Sequence, residues 1–593
     1  MFQRTDPQGS LFQTSNLLPD EKLARLEKTW AWQFRRHALP MINEGIFAGL
    51  YCENNGRPNK SVRTVVGVLV LKDMFNLTDE DALYRLDFDM GWQAALGLTP
   101  EDAHCCQKTL HNFRVKLLDN DTIKLLFNDM TARMIEGLGL STETQRLDST
   151  HIVSNIARLT RLGLFCETIR VFLRALEKAN KEKFETIPIS LRARYLKDDG
   201  TDTRYQDARS DESRRRLCVC ARDVYRLEDR FKQDDQAGAL ASYKILFRLF
   251  IDQCEVVENA VTQSEDADAG ESPAPAILIE SKEVSSASLQ TPHDEDVTYS
   301  GHKGKGYEVQ LSETVGNGEK PEMIVHVEMT HSCYSDERAT LPAMAALTQQ
   351  EMQPKTLLAD TNYGSTQNAI ECEKRGTDLV TPVRGADAEA LKPDATNKNE
   401  KTVADFEIDV KGEAATRCPA GHAAESETRN AKGEIVARFS KINCAQCPFR
   451  NQCPAKRQPN GTRELNTSAR EHTLEKRRRR EATKKFKSQY AQRAGIEATN
   501  SELKRAHGLG KLRVRGGKRV KLSVFLKVLA CNVKRMVKYL AEQAKIAARA
   551  AFSVEIELPQ RIRRYTFGSG NFANFTPSDA VRSGSKNPRL NAA

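Results

Sequence analysis

The nine residues QRLDSTHIV, 145–153, mark a change of period in the chain. They are β-branched and alternate polar with apolar side chains, the pattern of a half-buried strand. Before them, apolar residues recur at helical spacing through Leu23–Ala38, Val62–Met74 and Thr109–Gly137. LTDEDALYRLDFD supplies an acidic helix start after Thr78, and Gly56 and Pro58 break the chain between two of these helices. After them, Ile156 to about Val257 returns to helix, with RVFLRALEKANKEKF and ALASYKILFRLFIDQ amphipathic. Thr262–Asp296, rich in Ser, Ala, Pro, Asp and Glu, reads as a flexible linker.

Strand signals then crowd together in GYEVQLSETV, EMIVHVEMTH, TLLAD and DLVTPVRG, with a helix over Ala339–Gln350 before the third and another before the fourth. Two antiparallel strands followed by βαβ units predict a mixed sheet and an α/β fold. Ala388–Ala469 is polar and cysteine-bearing, Leu474 to about Ala551 is basic and helical, and Pro559–Ala593 reads as a poorly ordered tail. At 593 residues, the chain exceeds what one hydrophobic core supports. No apolar run reaches the roughly 20 residues of a membrane span. Met1–Gln13 lacks the basic-then-apolar layout of a secretory signal, so a cytoplasmic location is expected.

The net charge of +10 is unevenly placed: Glu471–Leu540 holds 21 Lys and Arg against 5 Asp and Glu. Such a concentration is the usual footprint of a polyanion partner, because neutralised phosphates release counterions. EKRRRREATKKFK and GLGKLRVRGGKRVK carry most of it, and Gly508, Gly510, Gly516 and Gly517 suit close approach of backbone to phosphate. Such contacts position DNA without reading its sequence. For recognition, the N-terminal helices are the candidate, with HCCQKTLHNFRVKLL as a recognition helix.

Three acids stand out. Asp148 lies inside the first strand, where a charge is costly without a role. Asp360 ends another strand in LLADTNYG, at the rim where such sheets place ligands. Glu497 lies in QYAQRAGIEATNSELKRAHG, where Tyr490, Arg493, Glu497 and Lys504 are separated by two, three and six residues. At about 100° per residue, all four fall within about 60° on one helix face. That spacing also fits an ordinary salt-bridged stripe, since Arg493 and Glu497 are an i,i+4 pair. His151, three residues past Asp148, is a positioning or core residue on this reading.

The spacing Tyr-x2-Arg-x3-Glu-x6-Lys resembles the glutamate-bearing motif of bacterial DDE-type insertion-sequence transposases. CENNGRPNKSVRTVVGVLVLKDMFNLTDEDALYRLDFDMGWQAALGL resembles the N-terminal domain of one group, the IS-eleven-eighty-two type. RLDSTHIVSNIARLTR, TYSGHKGKGYEVQLSET and LADTNYGS resemble its first aspartate motif, next strand and second aspartate motif, in family order. The resemblance covers about residues 20–540. It implies a ribonuclease-H-like mixed sheet core with an all-α N-terminal DNA-binding domain (1–140), a helical insertion and linker (156–296), a cysteine-bearing zinc-ribbon-like insertion with a basic segment (388–484) and a flexible tail (551–593). The core would comprise 141–155, 297–387 and 485–550. Asp148, Asp360 and Glu497 would hold two Mg²⁺ (or Mn²⁺) ions for hydrolysis at element ends and strand transfer into target DNA. Tyr490, Arg493, Lys504, Arg505, Lys511, Arg513 and Arg515 would contact DNA, and pairing two ends implies a homodimer. A ribonuclease-H-like nuclease without strand transfer, or a domesticated DNA-binding protein, are the alternatives. The latter would be expected to show a decayed triad.

Most of the 14 cysteines are scattered singly, as at Cys52, Cys166, Cys254 and Cys531, which suits reduced thiols. Cys418, Cys444, Cys447 and Cys453 are clustered and are the expected four ligands of a structural Zn²⁺, with His422 replacing one cysteine as the alternative. A small insert with little apolar content needs a metal to hold its shape.

Overall fold

A computed structural model describes residues 2–5, 11–52, 59–196, 211–257, 275–383, 401–409 and 414–556. Met1–Tyr539 forms one compact unit, and Leu540–Ala593 a second whose described part, 540–556, is helical. The expected break at Gly56 and Pro58, the first part of the expected linker and the expected tail from Pro559 onward lie outside the described residues.

At the centre is a six-stranded mixed sheet: β1 (Thr144–Ile152), β2 (Thr298–Ser300), β3 (Gly304–Thr314), β4 (Ile324–His331), β5 (Thr356–Ala359) and β6 (Asp378–Val380). β1 runs antiparallel to β3 on one side and parallel to β5 on the other, and β6 continues in parallel beyond β5. β2 and β4 both pair antiparallel with β3. The parallel strands require crossovers, supplied by α1 (Asp336–Gln349) and α2 (Thr366–Lys374).

Alternation along β1 assigns its side chains to two faces. On one, Leu147 joins Leu357 and Leu379 beneath Ala343, Met344, Ala369 and Cys372 of α1 and α2. On the other, Leu358 and Val380 bury Phe486. Helical segments α3 (Ala469–Glu481), α4 (Lys484–Ala491), α5 (Gly495–Ala506) and α6 (Gly517–Ile556) occupy the basic stretch, which is helical as expected but divided into four. Asn532 of α6 bonds both backbone groups of Ile324 at the start of β4, at 3.0 and 2.8 Å.

The N-terminal region is helical as expected, with different ends. Leu23–Ala38 is broken into Asp20–Leu26, Trp30–Gln33 and a wide turn at Phe34–Ala38, and Thr109–Gly137 into Gln107–Lys116 and Thr122–Leu138. Val62–Met74 is one almost wholly buried helix, started by Ser61 accepting from Thr64 N. Thr78 and Asp81 cap each other reciprocally at the start of Asp79–Phe88.

Helices Arg161–Ala179, Asp211–Phe231 and Ala241–Gln253 form a helical insertion around a core of its own. The flexible-linker expectation fails over its described part. Leu289 is fully buried in that core, and Asp294 accepts from Ser154 Oγ and Tyr307 Oη, both at 2.6 Å. The acidic side chain that made this stretch look solvated is satisfied internally.

Candidate functional site

Register brings the two aspartates together. Leu147 pairs with Ala359 across the parallel strands β1 and β5. The next residues, Asp148 and Asp360, therefore emerge side by side from neighbouring strands, which lie about 4.8 Å apart. Asp360 caps a single turn, Thr361–Tyr363, accepting from Thr361 N at 2.7 Å. Asp148 accepts from Asn500 Nδ2 at 3.2 Å. Burial pushes the Asp148 carboxyl up to about 6, against the pull of Arg493, with the charges of Asp360 and Asp336 adding to the rise. Tyr490 stacks on Phe486 with ring centres 5.7 Å apart. Its phenol is shifted upward mainly by burial, while Arg493 lowers it and Asp360 and Asp148 raise it, so it faces the same acids.

Glu497 lies on a helix flank and meets Arg493 rather than the aspartates directly. Tyr490 and Glu497 do not share one regular helix: a 3-10 turn, Gln492–Ala494, separates α4 from α5. Backbone angles stay right-handed through it, so the side chains keep nearly the same face. Ile496, Thr499 and Leu503 are the buried side of α5. Glu497 lies on the flank beside Asn500 and pairs with Arg493 at 3.7 Å, its own side chain 69% exposed. Arg493, 15% exposed, thus links the glutamate electrostatically to Asp148.

A buried network docks α5 on the sheet. Glu313 of β3, with its side chain fully buried, binds Arg146 and Arg535, each at 2.5 Å, and accepts from Thr499 Oγ1 at 2.6 Å. Arg535 also holds Glu502 and the Glu322 carbonyl. Asn500, Asp336, Glu313 and Arg535 were missed in the sequence. Only the i,i+3 spacing of Asn500 from Glu497 hinted at any of them. Asp336 begins α1 and accepts from Gln310 Nε2 at 3.3 Å and Tyr363 Oη at 3.4 Å. By alternation along β1, His151 falls on the opposite face from Asp148, with Nδ1 3.3 Å from the buried Glu308 carboxylate. It is a core residue beside the site.

The basic surfaces divide by use. Arg480 grips Asp378, Arg477 donates to Thr381 Oγ1 at 2.6 Å and Arg479 binds Asp405 at 2.9 Å, so much of the RRRR run fastens α3 to its neighbours. Gly508–Gly516 is an irregular segment that bonds the end of β1. Val153 N donates to the Gly510 carbonyl at 3.0 Å, Leu512 N to that of Val153 at 2.8 Å and Asn155 N to that of Val514 at 2.8 Å, prolonging the line of β1. Gly508, with a positive φ, closes against Asn76, and Gly517 N donates to Asp296 at 2.9 Å. These two glycines serve internal packing. Arg513 donates to the Leu77 and Asn76 carbonyls, whereas Lys504, Arg505, Lys511 and Arg515 are exposed. In the N-terminal candidate helix, Gln107–Lys116, Leu110 and Phe113 are buried and Arg114 pairs with Asp79, leaving Lys108, His111 and Asn112 exposed.

In the cysteine-bearing insertion, strands Ser426–Arg429, Ile435–Phe439, Lys456–Arg457 and Arg463–Thr467 form one sheet, and Glu407–Asp409 pairs with Ala414–Arg417. A small core of Phe406, Ile408, Ala415, Ile435, Ala437, Phe439, Ala455 and Leu465 supports them. Cys418, His422, Cys444, Cys447 and Cys453 line one cavity. Burial raises the Cys444 thiol, and the other three thiols add to the rise against Arg463. The donor set is that of a zinc site, but no three of these donors approach within 4.8 Å of one another; nor do any three of the acids Asp148, Asp336, Asp360 and Glu497.

A Transposase DDE domain model matches residues 417–537, and a Transposase domain (DUF772) model matches 14–116. The two matches support an insertion-sequence DDE transposase, an enzyme that acts on DNA. No curated protein and no solved structure matches the chain. Among the described residues, no helix is long and apolar enough to cross a membrane.

Proposed function

We propose that the chain is a DNA transposase of the IS-eleven-eighty-two type, with a ribonuclease-H-like sheet carrying Asp148, Asp360 and Glu497 as its catalytic acids. The reading rests on the side-by-side exit of Asp148 and Asp360 from β1 and β5, with Arg493 linking Glu497 to them. An aspartate whose carboxyl is lifted by burial and two neighbouring acids is short of a counter-cation, and oxygen ligands of this kind suit Mg²⁺ or Mn²⁺. Asp148, Asp360 and Glu497 would hold the two ions. When bound, such ions lower the charge that builds on the attacking and leaving oxygens of a phosphodiester. In the first reaction, water attacks phosphorus at the element end and releases a 3′-hydroxyl. In the second, that hydroxyl attacks a target phosphodiester, forming one bond and freeing a target 3′-hydroxyl.

The chain's own groups hold the DNA. Arg493, whose charge acts on Asp148, and the exposed Lys504, two helical turns beyond Glu497, would bind phosphates beside the scissile bond, with Tyr490 next to Arg493. Arg505, Lys511 and Arg515 extend the cationic surface, with Arg513 at its internally bonded edge. The exposed side of Gln107–Lys116 is the candidate reader of element ends. The protein would work as a homodimer pairing two ends in the cytoplasm. The cysteine-bearing insertion would be a zinc ribbon whose structural Zn²⁺ draws four of Cys418, His422, Cys444, Cys447 and Cys453 together.

Purified Asp148→Asn, Asp360→Asn and Glu497→Gln are each expected to lose Mg²⁺-dependent cleavage of labelled element ends while retaining binding in a gel-shift assay. Normal cleavage by any one of them removes that residue from the site. Transfer of the labelled 3′ end into a target plasmid separates a transposase from a plain nuclease.

A further inference from the structure

Beneath the exposed flank that carries Glu497, the end of the same helix meets the long helix α6 at a second constellation. Glu502 of α5, His507 just beyond it and Cys531 of α6 each offer one donor atom, and these atoms all lie within 4.8 Å of one another. Among the described residues this is the only such trio of His, Cys, Asp or Glu. His507 and Cys531 are fully buried.

The hydrogen bonds around the trio leave lone pairs available. His507 Nδ1 lies 3.0 Å from the Asp73 carbonyl. A carbonyl only accepts, so Nδ1 carries the proton and Nε2 presents a bare lone pair. That Nε2 is buried and has no hydrogen-bond partner. An imidazole whose N–H is spent on a backbone carbonyl and whose other nitrogen is unpartnered has the arrangement that metal-binding histidines adopt. Glu502 shows the same division: Arg535 Nε and Nη2 both donate to Oε2, at 3.0 and 2.7 Å, fixing the carboxylate with Oε1 left over. A buried nitrogen without a partner is costly unless something occupies its lone pair. A cation would.

We propose that Glu502, His507 and Cys531 form a structural metal site for Zn²⁺ or a similar borderline divalent ion, separate from both the acidic site and the cysteine-bearing insertion. Mixed nitrogen, sulfur and carboxylate ligation favours zinc over magnesium, which prefers oxygen alone. Binding would deprotonate the Cys531 thiol and release that proton to solvent. Donors up to 4.8 Å apart would have to draw in by roughly 1 Å to sit at about 2.0–2.3 Å from one ion. The ion would tie the end of α5 and the Gly508 turn to α6, fixing the helix that bears Glu497 at a point three turns from its exposed flank.

Crystals of the full-length wild-type chain, grown with zinc and measured on both sides of the zinc absorption edge, test this without any substitution. A peak of anomalous density beside His507 Nε2 is expected; density there without such a peak overturns the proposal. Zinc content of the purified Cys531→Ala chain is the second measurement, with an expected loss of one equivalent relative to wild type. An unchanged content likewise overturns it. The Cys444→Ser, Cys447→Ser double variant separates this site from the insertion: any zinc it loses belongs to the insertion, and the equivalent sensitive to Cys531→Ala must persist. Cleavage activity is not read in any arm, so failure here leaves the transposase reading to its own assay.

Discussion

Replacing Asp148 by Asn has a consequence for stability opposite to its consequence for catalysis. Burial and the neighbouring acids lift the Asp148 carboxyl from 3.8 to about 6. A raised folded-state value favours the neutral acid in the folded chain. The advantage is complete below about pH 4 and is lost as pH rises through 6. At pH 7.5 the ionised side chain therefore weakens the fold. Two pH units at about 1.36 kcal/mol each set a ceiling of about 3 kcal/mol, and partial solvent access brings the expectation to roughly 1–3 kcal/mol. Asparagine is neutral at every pH and its carbonyl still accepts from Asn500. The Asp148→Asn protein, freed of divalent ions with EDTA, should accordingly unfold at higher temperature than wild type at pH 7.5. Because the unfolding entropy scales with size, the unit Met1–Tyr539 shifts by roughly 1 °C per kcal/mol. The difference should shrink as pH falls through 6 and vanish near 4. Magnesium at about a hundred times its dissociation constant adds about 2.7 kcal/mol to a protein that binds it. It should stabilise wild type and leave the variant unmoved, so the order of the two midpoints closes or inverts. A metal-free variant less stable than wild type at pH 7.5, or equal stabilisation of both by Mg²⁺, would refute the reasoning.

Other substitutions probe the frame around the acids. Arg535→Met strips one of two cations from the buried Glu313 carboxylate and frees Thr499 and Glu502, a loss of about 3 kcal/mol or more by thermal unfolding; a change below 1 kcal/mol would show that Arg146 alone suffices. Arg493→Ala removes the charge that pulls the Asp148 carboxyl down, so the acid limb of the cleavage profile should move to higher pH, and an unmoved or lowered limb contradicts the assigned contact. Gly306→Ala places a Cβ against the Ile152 carbonyl and the His151 ring, which should lower the unfolding temperature. Alanine at Lys504, Arg505, Lys511 or Arg515 should each weaken DNA binding and reduce the slope of log affinity against log salt by about one. The same change at Arg513 should cost stability through its lost carbonyl contacts.

Periodicity, capping and glycine placement act within a few turns of chain, and what depends on them was legible. The strand at Asp148, the helix Val62–Met74, the helix start after Thr78 and the two antiparallel strands followed by βαβ units appear where local pattern put them. The Arg493–Glu497 pair read from i,i+4 spacing is present, at 3.7 Å. Residues 275–296 went unread because acidic, small and polar composition looks solvated until a partner such as Tyr307 is known. The internal partners of Arg477, Arg480 and Arg513 were likewise invisible in a run of basic residues.

By itself the sequence determined which residue types occur on which local face, since a side chain's direction follows from helix or strand period alone. Tertiary structure alone decided that Ala359 would pair with Leu147, that Asn500 would reach Asp148, and that Glu313 would be enclosed by Arg146 and Arg535. Those contacts join residues up to 352 positions apart. Their partners are selected by strand register and by the burial energy of the whole core, which no short window of chain contains.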